Sequence, residues 1–179
     1  MKASVCTSTC DTPLGRMIMA GGEEGLAGLW FEGQKHCCAG LAPGCPQREI
    51  PLFSRVRAWL GAYFAGGDPA LDFPLRLEGT PFQEEVWRML LAIDRGTVTT
   101  YGEIARRLAL GRGARVSAQA VGGAVGRNRI SIIVPCHRVV GAGGSLTGYA
   151  GGLGRKAHLL RLEGAWQERF HAPARGTAL

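Results

Sequence analysis

The chain has 179 residues, 46% of them hydrophobic and 20% charged. That is enough for one domain or two small ones with a real hydrophobic core, and it excludes a disordered chain. No apolar run approaches the roughly 18 residues of a membrane helix, and the opening MKASVCTSTCDTP lacks the apolar stretch of a secretory signal, so a soluble, cytoplasmic protein is expected. The formal charge of +7 is uneven: residues 1–79 carry seven Lys/Arg against eight Asp/Glu, residues 80–179 fourteen against six, and between Ile104 and Leu162 ten basic side chains stand with no acid. Such a field attracts polyanions and points to nucleic acid, the alternative being a basic face kept for solubility.

In chain order, residues 14–20 and 26–31 are short apolar runs around the turn Gly21–Gly25 and predict a hairpin. A Gly/Pro/Cys-rich loop follows over 40–46. Phe53, Val56, Leu60 and Phe64 recur at spacings of three and four, which predicts an amphipathic helix ending near Gly66-Gly67. Residues 68–79, with two prolines and no helical period, read as a linker. Thr80, Pro81 and Gln83 then form a capping box for a helix with Val86, Trp87, Leu90 and Leu91 toward the core. Thr100 and Glu103 predict a second box, opening a helix over 101–109 that stops at Gly111. Ser117 caps a third, over 118–126, whose glycines each cost about 1 kcal/mol against alanine. Two helices joined by a Gly-containing connector, with Arg106, Arg107, Arg112, Arg115, Arg127 and Arg129 around them, suggest a helix-turn-helix; a plain helical hairpin is the alternative.

Six cysteines and no signal segment favour free thiols in a reducing compartment. Cys6-x3-Cys10 and His36-Cys37-Cys38 offer zinc-binding side chains but lack the paired spacing of a zinc site. The sixth thiol differs from the rest. Residues 130–140, ISIIVPCHRVV, form an apolar run interrupted by Pro135-Cys136-His137-Arg138, where proline must break any ladder. A nucleophilic cysteine needs a base or a positive charge beside it, and His137 and Arg138 supply both. If His137 is the base, a third group should orient its ring, and Glu163 is the nearest downstream acid. A small buried cysteine, a structural histidine and a solvated carboxylate are the plainer readings of the same three residues.

VPCHRVV, with GYAGG from Gly148 and RKAHLLRLEG after it, and with TPFQEEVW, TYGEIA and AVGGAVGRN upstream in that order, closely resembles the methylated-DNA–protein-cysteine methyltransferases, the 6-O-alkylguanine-DNA alkyltransferases. The match spans residues 80–164; WFEGQKH and AYFAGG fit more loosely. Related alkyltransferase-like proteins carry tryptophan at the position of Cys136, so the cysteine points to an active member. The resemblance implies an α/β protein: a small ribonuclease-H-like domain over 1–79, a helical winged-helix/helix-turn-helix DNA-binding catalytic domain over 80–164, and a loose tail over 165–179.

It also implies single-use DNA repair, in which an alkyl group passes irreversibly from guanine O6, and from thymine O4, to Cys136. His137 takes the thiol proton through a water and is held by Glu163. Asn128 orders the cysteine segment, and the Tyr101 hydroxyl faces guanine N3. Val139, Tyr149, Ala150, Gly151, Gly152 and Lys156 line the base pocket. Ser117, Gln119, Ala120, Gly123, Arg115, Arg127 and Arg138 face double-stranded DNA, α-helix 118–126 entering the minor groove. A monomer, with no cofactor and no metal, is expected. Gln119 stands where the family usually has an arginine that fills the gap left by the flipped base, with Arg115 one turn earlier. Gly22 and Ala27 stand at two positions where some animal members hold zinc. Two other classes remain: a DNA-binding regulator using Cys136 as a redox or alkylation sensor, and a cysteine hydrolase using Cys136, His137 and Glu163, which lacks an evident oxyanion-hole segment.

Overall fold

A computed structural model describes residues 5–173. The chain divides into two compact units, the first running to Glu78 and taking in Arg129–Ser131, the second starting at Gly79 and taking in Asn128 and Ile132 on either side of that short return.

The first unit is a three-stranded antiparallel sheet, β1 (Cys6–Thr12), β2 (Gly15–Gly22) and β3 (Gly25–Phe31), with helix α1 (Pro51–Phe64) on it. The expected hairpin is β2–β3, with Met17 opposite Phe31 and a shift of register at Ala20/Gly21. β1 was not expected: CTSTCDT has little apolar pattern, yet Cys6 and Ser8 point inward and the strand pairs with β2 along its length. Every residue of β3 is buried. The strand is paired on both sides, by β2 and by short bridges to Leu75 and Ile130. Residues 74–76 are therefore no linker: Arg76 donates its amide to Leu26, and Phe73 is buried. Gly28 is required, because a Cβ there would lie 1.9 Å from the Trp30 ring. α1 opens on Pro51 without a side-chain cap and buries Phe53, Val56 and Leu60 of the expected stripe together with Leu52 and Tyr63, while Phe64, the fourth expected position, is only partly buried.

The second unit opens with α2 (Pro81–Leu91), whose Thr80–Gln83 capping box is complete. Val86, Trp87 and Leu90 are buried as expected, whereas Leu91 is 39% exposed, one position beyond the 3.6-residue stripe. Trp87 also donates its indole N–H to the Ala124 carbonyl, tying α2 to α4 (Ala118–Val125). α3 (Tyr101–Arg112) runs past Gly111 and ends at Gly113, which has the left-handed φ of 62°. Its capping box is half formed: Thr100 accepts from the Glu103 amide, while the Glu103 carboxylate pairs with Arg106 and Arg107. Ser117 caps α4 through the Ala120 amide.

Beyond α4 the apolar run is not a strand. It forms turns over 131–134, a 3-10 turn over Cys136–Arg138, and then β5 (Val139–Val140), parallel to β4 (Thr99–Thr100). Ile132 sits at φ +71°, an unusual value for a β-branched residue. α5 (Leu153–Leu162) closes the chain. Ala165 and Phe170 then pack on Val140, Leu146 and Leu160, with Trp166 against them, so residues 165–170 complete a core instead of forming a loose tail. Residues 174–179 of the expected tail lie outside the described residues. Among the described residues no helix is long and apolar enough to cross a membrane.

Candidate active site

Proline at 135 denies the chain a ladder, and the backbone turns tightly: the Cys136 amide donates to Val134 O at 2.8 Å, and that of Arg138 to Pro135 O. The turn buries Cys136 and His137 side by side. Asn128, three residues past the end of α4, donates its amide to Val134 O (2.9 Å) and to Cys136 Sγ (3.1 Å). Glu163, the residue that ends α5, sets Oε1 2.8 Å from His137 Nε2. A carboxylate only accepts, so Nε2 carries the ring proton and Nδ1 the lone pair. Nδ1 is buried and has no hydrogen-bond partner among the described residues. Cysteine, imidazole and carboxylate are thus assembled from a 3-10 turn and a helix end, His137 and Glu163 lying 26 residues apart in sequence.

Electrostatics decide the resting state. Burial pushes the Cys136 thiol up from its ordinary value, against the pull of the Asn128 amide and of the Lys156 charge. Burial pushes His137 down, against the pull of Glu163. The pair therefore rests as thiol and neutral imidazole, the protonation states that a nucleophile and a general base would need before reaction. Lys156 is fully buried on α5 and donates to Val139 O (2.6 Å) and Thr147 O (2.8 Å), joining the cysteine segment to the loop before α5. Burial lowers its pKa to about 8.

Tyr101, at the start of α3, is buried and donates its hydroxyl to the same Thr147 carbonyl (2.8 Å). Burial raises its pKa, so the phenol stays a donor. Tyr149 lies edge-on to the His137 ring. Ala150 and Gly152 are partly exposed and Gly151 is buried, within a turn closed by the Gly152 amide on Tyr149 O. Two participants escaped the sequence reading, Thr147 and Gly148. A Cβ on Gly148 would lie 2.2 Å from the Tyr101 hydroxyl, and its φ is +83°. The glycine immediately before Tyr149 in GYAGG was the available signal; Thr147 acts through its carbonyl, which no side-chain pattern reveals.

Of the residues expected to face DNA, Ser117, Gln119, Ala120, Gly123 and Arg127 lie on the exposed face of α4 or at its ends, with Arg115 exposed on the connector. Arg138 does not belong with them. Its side chain is 11% exposed and both nitrogens of its fork lie on Glu163, Nε to Oε2 at 2.8 Å and Nη2 to Oε1 at 2.9 Å, with Nη1 donating to Ile93 O. Burial beside an acid captures a cation that the resemblance had placed against DNA. Other arginines around the helix pair are also engaged, Arg106 and Arg107 with Glu103 and Arg112 with Glu85, while Arg129 pairs with Glu78 in the first unit. All six cysteines are free, and no group of three or more His, Cys, Asp or Glu among the described residues is placed to hold a metal.

Comparison with known proteins bears on the whole chain. Residues 5–77 match the family model described as 6-O-methylguanine DNA methyltransferase, ribonuclease-like domain, and residues 81–165 that of the DNA binding domain of the same family. A methylated-DNA–protein-cysteine methyltransferase of Mycolicibacterium paratuberculosis is 44% identical over 171 residues, covering 93% of each chain. One of Methanosarcina acetivorans is 44% identical over 156 residues, 87% of this chain and 96% of its own. The crystal structure of Mycobacterium tuberculosis OGT in complex with DNA is similar with a TM-score of 0.74 at 43% identity, over 93% of this chain and 94% of that one. With its mixed α/β architecture, a ribonuclease-like part followed by a DNA-binding part, the chain belongs to the 6-O-methylguanine DNA methyltransferase family.

Proposed function

We propose that the protein repairs duplex DNA by direct reversal, taking an alkyl group from O6 of guanine, or from O4 of thymine, irreversibly onto Cys136. The observation that carries this is the buried thiol beside a neutral imidazole whose Nε2 is held by Glu163 and whose Nδ1 is unengaged. The thiol proton passes through a bridging water to Nδ1. Sγ then attacks the alkyl carbon, the S–C bond forms as the C–O bond breaks, and the electron pair of that bond stays on the base. The Tyr101 hydroxyl exchanges its Thr147 acceptor for guanine N3 and stabilises that charge. The proton released at Cys136 finally neutralises the base through solvent. A thioether offers no leaving group for water, so each molecule reacts once.

The base must leave the stack for this geometry to be met. A winged-helix-like unit built on α3 and α4 would present α4 to the minor groove. Its exposed positions Gln119, Ala120 and Gly123 share one face, with Arg127 exposed just beyond its end, and neither Gly122 nor Gly123 is demanded by internal packing: a Cβ at Gly122 would make only ordinary contact with Tyr101, and one at Gly123 would meet nothing. At the start of α4 a groove of about 540 Å³, lined by Arg112, Arg115 and Ser117 among others, suits a phosphate.

A duplex with one methyl-labelled 6-O-methylguanine, mixed with known amounts of protein, should leave one label fixed per protein and none on Cys136→Ser. Binding without transfer would move the protein to lesion sensing. Gln119→Arg should speed transfer from the duplex, and Arg115→Ala should slow it; a raised rate in the first with no effect of the second would show that Arg115 does not stand in for the missing arginine.

A further inference from the structure

We propose that Arg138 is a positioning residue for the transfer: by gripping the Glu163 carboxylate with two parallel hydrogen bonds, it holds His137 as the neutral tautomer whose Nδ1 accepts the cysteine proton. This rests on the function proposed above and assigns Arg138 a place in it. Glu163 is the junction. Its Oε1 receives His137 Nε2 at 2.8 Å and Arg138 Nη2 at 2.9 Å, and its Oε2 receives Arg138 Nε at 2.8 Å. The carboxylate has no exposed surface. The third guanidinium nitrogen, Nη1, is anchored on the Ile93 carbonyl just beyond α2. The planar fork thus fixes the carboxylate in position as well as in charge, which a lysine ammonium cannot reproduce.

The charge balance explains why an arginine is needed here. A buried carboxylate without a cation either takes up a proton or draws one onto its neighbour. With Arg138 present, Glu163 is already neutralised and the imidazole can stay uncharged. Without it, the lone buried negative charge is compensated most readily by protonating His137, which fills Nδ1 and removes the base. The charged and titratable groups around the imidazole are Glu163 and Lys156 from α5 and Cys136 and Arg138 from the 3-10 turn, with the Tyr149 ring edge-on. Of these only Glu163 favours the imidazolium; the charges of Arg138 and Lys156 oppose it.

Two readouts test this on the full chain. Nitrogen-15 NMR should show His137 in the wild type as the Nε2–H tautomer at pH 7; an imidazolium, or a proton on Nδ1, would overturn the proposal without any variant. In Arg138→Gln the His137 titration midpoint should rise by about one pH unit or more, a tenfold shift in the protonation equilibrium. Transfer from free 6-O-benzylguanine, which has no phosphate backbone, should then fall, by up to about tenfold at pH values below both midpoints, with the deficit closing as pH rises above the new midpoint. Arg138→Lys should restore the midpoint but only part of the rate. In a Glu163→Gln background the Arg138 change should have no further effect on rate. A loss equal at all pH values with an unmoved midpoint would make Arg138 merely structural. Weakened binding to undamaged duplex with normal transfer from the free base would make it a DNA contact. If the wild type takes no alkyl group at all, the function proposed above fails, while the NMR midpoints still decide the role of Arg138.

Discussion

β3 and the segment around Cys136 are both buried to a similar degree, yet they are opposite in kind. β3 is glycine and apolar residues from end to end, its backbone paired on both edges. Around Cys136 the buried groups include Asn128, His137, Lys156 and Glu163, three of them titratable. The first arrangement follows from the hydrophobic effect and serves stability. The second costs desolvation free energy at every polar group, and most of it is offset by specific partners, with Asn128 on Sγ, Lys156 on two carbonyls and Glu163 between imidazole and guanidinium, while His137 Nδ1 is left without one. Burial of charge that stability alone would not select is a mark of a site where chemistry is done.

The sharpest way to break this contrast is to cut into the apolar side. Phe53 is completely buried on α1, and Phe53→Ala should cost about 3–5 kcal/mol, read as a lower urea midpoint. Transfer per folded molecule should not change. A fall in the single-turnover rate of the folded fraction would show that the two regions are not independent.

Lys156→Met addresses the polar side through pH. The folded pKa of Lys156 is lowered to about 8 from 10.5, so between those values the unfolded chain binds more protons and folding becomes more favourable as pH rises. Below about pH 8 the buried charge imposes its full cost. The neutral amine still has two donors for Val139 O and Thr147 O. The wild type should therefore gain of order 3 kcal/mol over the variant from pH 8 to 10.5, measured as the difference in urea unfolding free energy. A pH-independent difference would mean that the folded and unfolded chains bind the same number of protons, so that burial does not lower the Lys156 pKa.

The smallest effect lies in the second unit but away from its chemistry. Thr80→Ala removes the hydroxyl that accepts the Gln83 amide and should cost about 1 kcal/mol with the transfer rate unchanged. This separates location in the catalytic unit from participation in catalysis.

Features set by neighbours in sequence were legible in advance. The Thr80 box, the Ser117 cap and the α1 stripe depend on residues three or four apart, and a proline before a Cys-His pair breaks a strand wherever it occurs. The GYAGG and PCHRV strings likewise carried the buried thiol, the imidazole and the loop. Glu163 was reached as the nearest downstream acid, which worked because the end of α5 returns to the 3-10 turn.

Other features depended on groups far apart in the chain, which only the tertiary structure brings together. β1 exists because a polar-looking strand has β2 to pair with, and residues 74–76 are part of the first unit because β3 has an edge to offer. The α3 stop moved from Gly111 to Gly113 because only the latter adopts the left-handed turn. Thr147 and Gly148 matter through a carbonyl and through missing volume, neither of which is written in a side chain. Arg138 shows the division most clearly. Its sequence makes it one more cation in a basic stretch, while the fold removes it from solvent and places Glu163 within 2.8 Å. The sequence determined which charges the protein has; the tertiary structure decided which of them meet, because an ion pair needs proximity in space and desolvation together.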